Sequence, residues 1–90
     1  MMICQVIGNV WATKKEETLV GKKLMIVKKA DENGNFAGSE CFVAADVVGA
    51  GIGEQVLVVN GSTARKAMGS DDVPVDAVII GIIDSMEISK

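Results

Sequence analysis

Thirteen valines and nine isoleucines stand against three leucines in this 90-residue chain. Branching at Cβ restricts a side chain against the preceding helical turn, whereas a pleated strand accommodates it well. A chain with this bias is expected to be β structure. The first apolar run, residues 2–13, has the strand period of two. Cys4, Val6, Gly8, Val10 and Ala12 fall on one face, and Ile3, Gln5, Ile7, Asn9, Trp11 and Thr13 on the other. Residues 14–17, Lys-Lys-Glu-Glu, read as a charged, solvated loop. A second strand over residues 22–29 and a third over residues 39–47 flank Asp31-Glu32-Asn33-Gly34-Asn35. Asn-Gly accepts positive φ with little strain, so these two strands make a hairpin.

Residues 49–53 are too rich in glycine to hold regular structure, and a fourth strand over residues 54–60 follows at once. Residues 62–68 form a short helix of about two turns, with Ser62 as N-cap and Gly69 placed to close the C-terminus. After a loop over residues 70–74, the last strand runs over residues 77–88. Gly8, Gly21 and Gly81 allow the strands to bend sharply. The expected fold is therefore all-β: a small five-stranded OB-like barrel with one short helix before the last strand, forming one domain over residues 1–90. Closure would remove exposed sheet edges.

The apolar content exceeds what such a barrel needs. A chain of this size buries roughly 60 to 65% of the surface its unfolded form exposes, yet 49% of its residues are apolar. Neither face of the first strand is cleanly polar, and the fourth and fifth strands carry apolar side chains on both faces, as in Val56-Leu57-Val58-Val59 and Val78-Ile79-Ile80. Part of this surface is expected to face another subunit.

Composition also narrows the functions open to the chain. With no histidine, catalytic triads and histidine-based metal sites are impossible. A net charge of -3, with two Phe, one Trp and no Tyr, argues against a nucleic-acid partner, which calls for basic stripes and stacking platforms. No apolar run approaches the ~18 residues of a membrane span. Met1-Met2-Ile3-Cys4-Gln5 lacks the marks of a signal peptide, so a cytoplasmic setting is expected, without cofactor or metal. Cys4 and Cys41 lie far apart in apolar segments and read as buried, reduced thiols.

Several motifs admit a bland and a sharper reading. Gly49-Ala50-Gly51-Ile52-Gly53-Glu54 superficially resembles a nucleotide-binding glycine loop, but such loops open a helix and here a strand follows. It is either a tight turn or a loop that lets a neighbouring chain approach closely. If it needs positive φ, then Gly51→Val or Gly53→Val should disrupt assembly more than barrel folding. Gly61-Ser62-Thr63-Ala64-Arg65-Lys66 reads as a capped surface helix, or as an inter-subunit contact or small-anion site made by Arg65. Asp46, Asp76 and Asp84 sit in or beside apolar runs, where a carboxylate must find partners. Hydrogen bonds to loops or to a neighbouring subunit are the expected use. Trp11 reads as a packing or interface residue.

Taken in order, Gly8-Asn9-Val10-Trp11-Ala12-Thr13-Lys14, Leu19-Val20-Gly21-Lys22-Lys23-Leu24, residues 45–56, Gly61-Ser62-Thr63-Ala64-Arg65, Pro74-Val75-Asp76-Ala77 and Gly81-Ile82-Ile83-Asp84 carry a resemblance over essentially the whole chain. The chain resembles the EutN/CcmL family, the pentameric vertex proteins of bacterial microcompartments and carboxysomes. The resemblance implies a cyclic homopentamer in the shell of a microcompartment in the bacterial cytoplasm. It would cap the corners of a polyhedral shell otherwise tiled by hexameric proteins, without catalysis. It also makes Thr13, Asp46, Gly49, Ala50, Gly51, Gly53, Gly61, Ser62 and Arg65 candidates for subunit contacts or for lining a small central opening. From the barrel alone, the alternative is an OB-like binding module for a nucleic acid or small ligand.

Overall fold

The computed structural model describes residues 1–12, 17–38, 40–69, 74–87 and 89. Five strands, β1 (Met2–Asn9), β2 (Lys23–Lys29), β3 (Cys41–Asp46), β4 (Gln55–Asn60) and β5 (Ala77–Ile82), close in the order β1-β2-β3-β5-β4. One helix, α1 (Ser62–Ala67), precedes β5, and a 3-10 turn covers Glu17–Leu19. The strand pairs are antiparallel except β3 with β5, which run parallel with Ala45 opposite Val78 and Asp46 opposite Ile79. The parallel pair follows from connectivity, because β4 and α1 lie between the two strands in the chain. The expected hairpin is present: β2 and β3 pair from Lys23 opposite Asp46 to Lys28 opposite Cys41. In its turn the Asp31 carboxylate accepts the N–H groups of Asn33 and Asn35.

The barrel interior is filled by one side chain in two from each strand. Cys4, Val6, Met25, Val27, Ala44, Val56, Val58, Ala77 and Ile79 form this core, with Phe42 packed against it. Two register slips let the barrel close. One lies between Val6 and Gly8 in β1, the other between Leu57 and Val58 where β4 meets β5. Gly8 and Gly81 flank these slips, and a Cβ on either would only touch Ile26 or Leu57 at ordinary distance. They mark the bends.

A second, smaller core lies outside the barrel. Ala64 of α1 seats on Ala45, Val59 and Val78, with Leu24, Met68, Val75 and Ile80 around them. The second apolar face of β4 and β5 is thus partly covered by the chain's own helix, where the sequence suggested a neighbouring subunit. On β1 and β5, Ile7 and Ile82 stay exposed, while Ile3 on β1 and Leu57 on β4 are half-buried.

Element ends differ from expectation in physically simple ways. β1 stops at Asn9, four residues early, although the Val10 N–H still donates to the Leu24 carbonyl. β3 begins at Cys41, and β5 stops at Ile82. Just past β5, the Ile83 N–H donates to the Gln55 carbonyl. Residues 14–16 of the expected loop at 14–17 and most of the loop at residues 70–74 lie outside the described residues, as do residues 13, 39 and 88 at expected strand ends, and Glu17 opens the 3-10 turn.

The thiols also divide. Cys4 is buried, whereas Cys41, expected to be buried, is exposed as the first residue of β3. Burial pushes the Cys4 thiol up to about 11 from 9.0, against a smaller lowering by the Lys29 ammonium. At pH 8 its thiolate fraction is then about 100-fold below that of an ordinary exposed thiol. A thiol reagent at that pH should titrate one group per folded chain and two in denaturant, and Cys41→Ser should abolish the fast one. Two fast thiols in the folded protein would contradict this placement.

Candidate functional site

The segment from Asp46 to Gln55 leaves the end of β3 and crosses to the start of β4. Asp46 organises it. Its side chain is 0% exposed, and its Oδ1 accepts the N–H groups of Val48 at 3.0 Å and Gly49 at 3.1 Å. Its Oδ2 accepts the N–H of Ala50 at 2.7 Å. Lys23, opposite Asp46 in the β2–β3 register, donates from Nζ to the Ala50 carbonyl at 2.9 Å and stands 3.6 Å from Asp46 Oδ2. Lys23 is half exposed, so its charge contributes mainly position.

This clamp pushes the Ala50 methyl into the barrel core, where it is fully buried. Beyond it the Glu54 carboxylate accepts the Gly51 N–H, and the Glu54 N–H returns to the Gly51 carbonyl. The Gly53 N–H donates to the Val6 carbonyl at 2.8 Å, and the Val6 N–H donates to the Glu54 carbonyl at 2.9 Å. The loop is stitched to β1 and seats Ala50 in the core. A phosphate needs open backbone amides. Here the amides of Val48, Gly49, Ala50, Gly51 and Gly53 are already spent on protein acceptors, which removes the physical basis of a nucleotide loop. Positive φ falls on Gly49 (83°) and Gly53 (91°) and not on Gly51, which corrects the expectation that Gly51 and Gly53 are equivalent.

The second group of candidates surrounds the start of α1. Gly61, not Ser62, is the N-cap; its φ of 65° suits glycine, there is no side-chain cap, and Ser62 is the first helical residue. The Gly61 N–H donates to the Asp76 carbonyl at 2.9 Å. Gly69 ends the helix with φ of 84°, as the sequence suggests. Gly61, Ser62 and Thr63 are exposed, and Arg65 is half-buried. Asp76 and Asp84 are both exposed, so neither carboxylate is buried as Asp46 is.

Gly53 and Gly61 stand at opposite ends of β4, a strand length of about 17–20 Å. The two candidate groups are linked instead through Ala45, beside Asp46, which shares the outer core with Ala64 beside Arg65. Thr13 lies outside the described residues. Among the described residues, no group of three His, Cys, Asp or Glu could hold a metal ion, and no helix is long and apolar enough to cross a membrane.

Two surface features escaped the candidate list. An open groove of about 460 Å³ lies beside the loop, lined by Trp11, Ile52, Val10, Lys22 and Lys23 among others; Trp11 is 88% exposed and Ile52 62%. A second, of about 500 Å³, is lined by Ile3, Leu57, Ile82, Ile83 and Met86 with Asp84 and Ser85. An isoleucine set between Gly51 and Gly53 was the available signal for the first, since a large apolar side chain on a glycine loop has little of its own chain to pack on.

Comparison with known proteins gives this geometry its context. Residues 1–84 match the family model described as "Ethanolamine utilisation protein EutN/carboxysome". The chain is 44% identical over 90 residues to the carboxysome shell vertex protein CcmL of Synechocystis sp., an alignment that covers all of this chain and 89% of that protein. It is 43% identical to the bacterial microcompartment shell vertex protein EutN of Escherichia coli (strain K12), covering 96% of this chain and 90% of the relative. Among solved structures, the GrpN pentameric microcompartment shell protein from Rhodospirillum rubrum superimposes with a TM-score of 0.86 at 39% identity, with full coverage of both chains. With its closed five-stranded barrel and its similarity over the full length, the chain belongs to the EutN/carboxysome family.

Proposed function

We propose that this chain, as one domain over residues 1–90, is a structural shell-vertex protein. Five copies form a closed ring that caps the corners of a polyhedral microcompartment in the bacterial cytoplasm, and hexameric shell proteins tile the faces. A flat layer of six-fold units cannot close, and five-fold units supply the missing curvature. The function is geometric and needs neither cofactor nor catalysis. The observation that carries this reading is the full-length similarity to named vertex proteins, joined to a small closed barrel that leaves apolar grooves open.

Within that role the candidate residues divide by task. Asp46 and Ala50 hold the shape of the loop, while Gly49, Gly51 and Gly53 let its backbone approach a neighbour closely. Gly61, Ser62 and Arg65 contribute from the start of α1 to contacts around a small central opening, and Thr13 joins this set from beyond the end of β1. A non-covalent ring of five should be seen by native mass spectrometry, and a monomer at micromolar concentration would sink the proposal. Co-expressed with a hexameric shell protein of the same source, the chain should convert open sheets or tubes into closed polyhedra in electron micrographs.

A further inference from the structure

The dipeptide Asn-Gly occurs twice in the chain, at Asn33-Gly34 and at Asn60-Gly61. Glycine has no Cβ to shield its backbone nitrogen, so the side-chain amide of a preceding asparagine is open to attack by that nitrogen. We infer that Asn33-Gly34 is a site of spontaneous covalent modification, at which Asn33 loses its side-chain amide, and that the fold protects the same pair at Asn60-Gly61. The inference is independent of the vertex reading.

The chemistry needs only water. The deprotonated Gly34 nitrogen attacks Cγ of Asn33, the new N–Cγ bond closes a five-membered succinimide, the Cγ–Nδ2 bond breaks, and ammonia leaves with the proton given up by the Gly34 amide. Water then opens the ring at one of its two carbonyls. Breaking the new N–Cγ bond leaves aspartate, and breaking the bond from Gly34 N to the main-chain carbonyl leaves isoaspartate. Either product carries a carboxylate where the amide was, so the net charge of the chain becomes one unit more negative than -3.

What separates the two sites is how much structure each must give up before the nitrogen can reach the side chain. Both asparagines are exposed, so accessibility does not decide. The Gly34 N–H is held by one bond, to the Asp31 carbonyl at 3.0 Å, and the Asn33 N–H by the Asp31 carboxylate at 2.8 Å. The β2–β3 register ends at Lys28 and Cys41, so this turn can open without touching the ladder. Exposed turns of this kind open at little cost in free energy. Asn60 is placed otherwise. It pairs with Ala77 in the β4–β5 ladder, and the Gly61 N–H donates to the Asp76 carbonyl at 2.9 Å. The Gly61 carbonyl in turn accepts the N–H groups of Ala64 and Arg65 at the start of α1. Freeing the Gly61 nitrogen therefore undoes the end of β4 and the start of α1 together.

The damage at Asn33 stays local. Aspartate there adds a carboxylate close to Asp31 and Glu32, and isoaspartate also lengthens the backbone of the turn by one methylene. Asp46 and the loop it holds lie at the other end of the hairpin, opposite Lys23.

Protein kept folded at pH 8 in warm buffer should gain one mass unit per chain, release ammonia, and on digestion show aspartate and isoaspartate at position 33, at a rate that rises in proportion to hydroxide. Conversion at Asn33 should outrun that at Asn60 by roughly tenfold or more, because more backbone bonds must break at the second site. In urea the two sites should convert at similar rates. Asn33→Gln, whose longer side chain would have to close a six-membered ring, should keep the parent circular dichroism and remove the modification from the turn. Chains modified at position 33 should keep the circular dichroism and the oligomer mass of the parent. Equal rates at the two sites in the folded protein, or faster loss at Asn60, would overturn the inference. So would an Asn33 amide that outlasts, in the folded protein, complete conversion of the chain in urea, or a loss of fold on modification.

Discussion

Asp46→Ala is expected to lower folding stability by about 2–4 kcal/mol, one of the larger effects open to a single polar substitution in this chain. The carboxylate is fully buried and accepts three backbone N–H groups. Hydrogen bonds to a charged acceptor contribute about 1.5–3 kcal/mol each, but the three are not equivalent. Val48 and Gly49 are exposed, so water replaces the lost acceptor. The Ala50 N–H is partly buried behind a side chain in the core, and water reaches it poorly. Most of the loss therefore comes from Ala50, with the half-exposed Lys23 adding roughly 0–1 kcal/mol. Asp46→Asn keeps one carbonyl oxygen but turns an amide donor toward either Ala50 or the Val48–Gly49 pair, so it should fall between alanine and the parent. Urea denaturation of the three proteins, compared at equal slope, measures this order. A loss below about 0.5 kcal/mol for Asp46→Ala would mean that the loop holds its shape unaided.

How much of this was legible in the sequence differs from element to element. The β2–β3 hairpin was readable because its signal is local: Asn33-Gly34 sets the turn and the alternation on either side sets the faces. The ends of β1 and β5 were not, since apolar alternation runs on past Asn9 and past Ile82 while regular pairing gives way to single bonds, Val10 to Leu24 and Ile83 to Gln55. The slips at Ile7 and Ile80 belong to barrel closure, a property of all five strands together. The helix shows the same division. Gly69 announces its own role through positive φ, but the choice of Gly61 over Ser62 as N-cap depends on a bond to Asp76 from the far side of α1.

The site follows the same logic. Asp46 was identifiable as a carboxylate that needed partners, and its partners lie two to four residues ahead, within reach of local reasoning. Lys23 was hidden, because it reaches Asp46 only through the hairpin register. That α1 covers Val59 and Val78 was hidden for a related reason. Sequence shows that a strand is apolar on both faces, but not whether its cover comes from the same chain or from another.

Gly53→Val and Gly51→Val should therefore differ sharply, although the sequence presents the two glycines alike. Gly53 has φ of 91°, a conformation that a β-branched residue adopts only under strain, and there is open space where its Cβ would go. The penalty is conformational, about 1–3 kcal/mol. The chain has no inexpensive escape, because the Gly53 N–H and the Glu54 carbonyl both pair with Val6 in β1. Relaxing the strain breaks those bonds, so folding suffers as well as assembly. Gly51 has an ordinary φ, and its added Cβ meets only Glu54 Oε1, at 3.2 Å. That carboxylate ends an exposed, flexible side chain and can move, at the loss of its bond to the Gly51 N–H, roughly 1 kcal/mol or less. Urea midpoints should accordingly fall much further for Gly53→Val than for Gly51→Val, with Gly53→Ala between them. Equal midpoints for the two valine variants would show that the left-handed turn at Gly53 is not what ties the loop to β1.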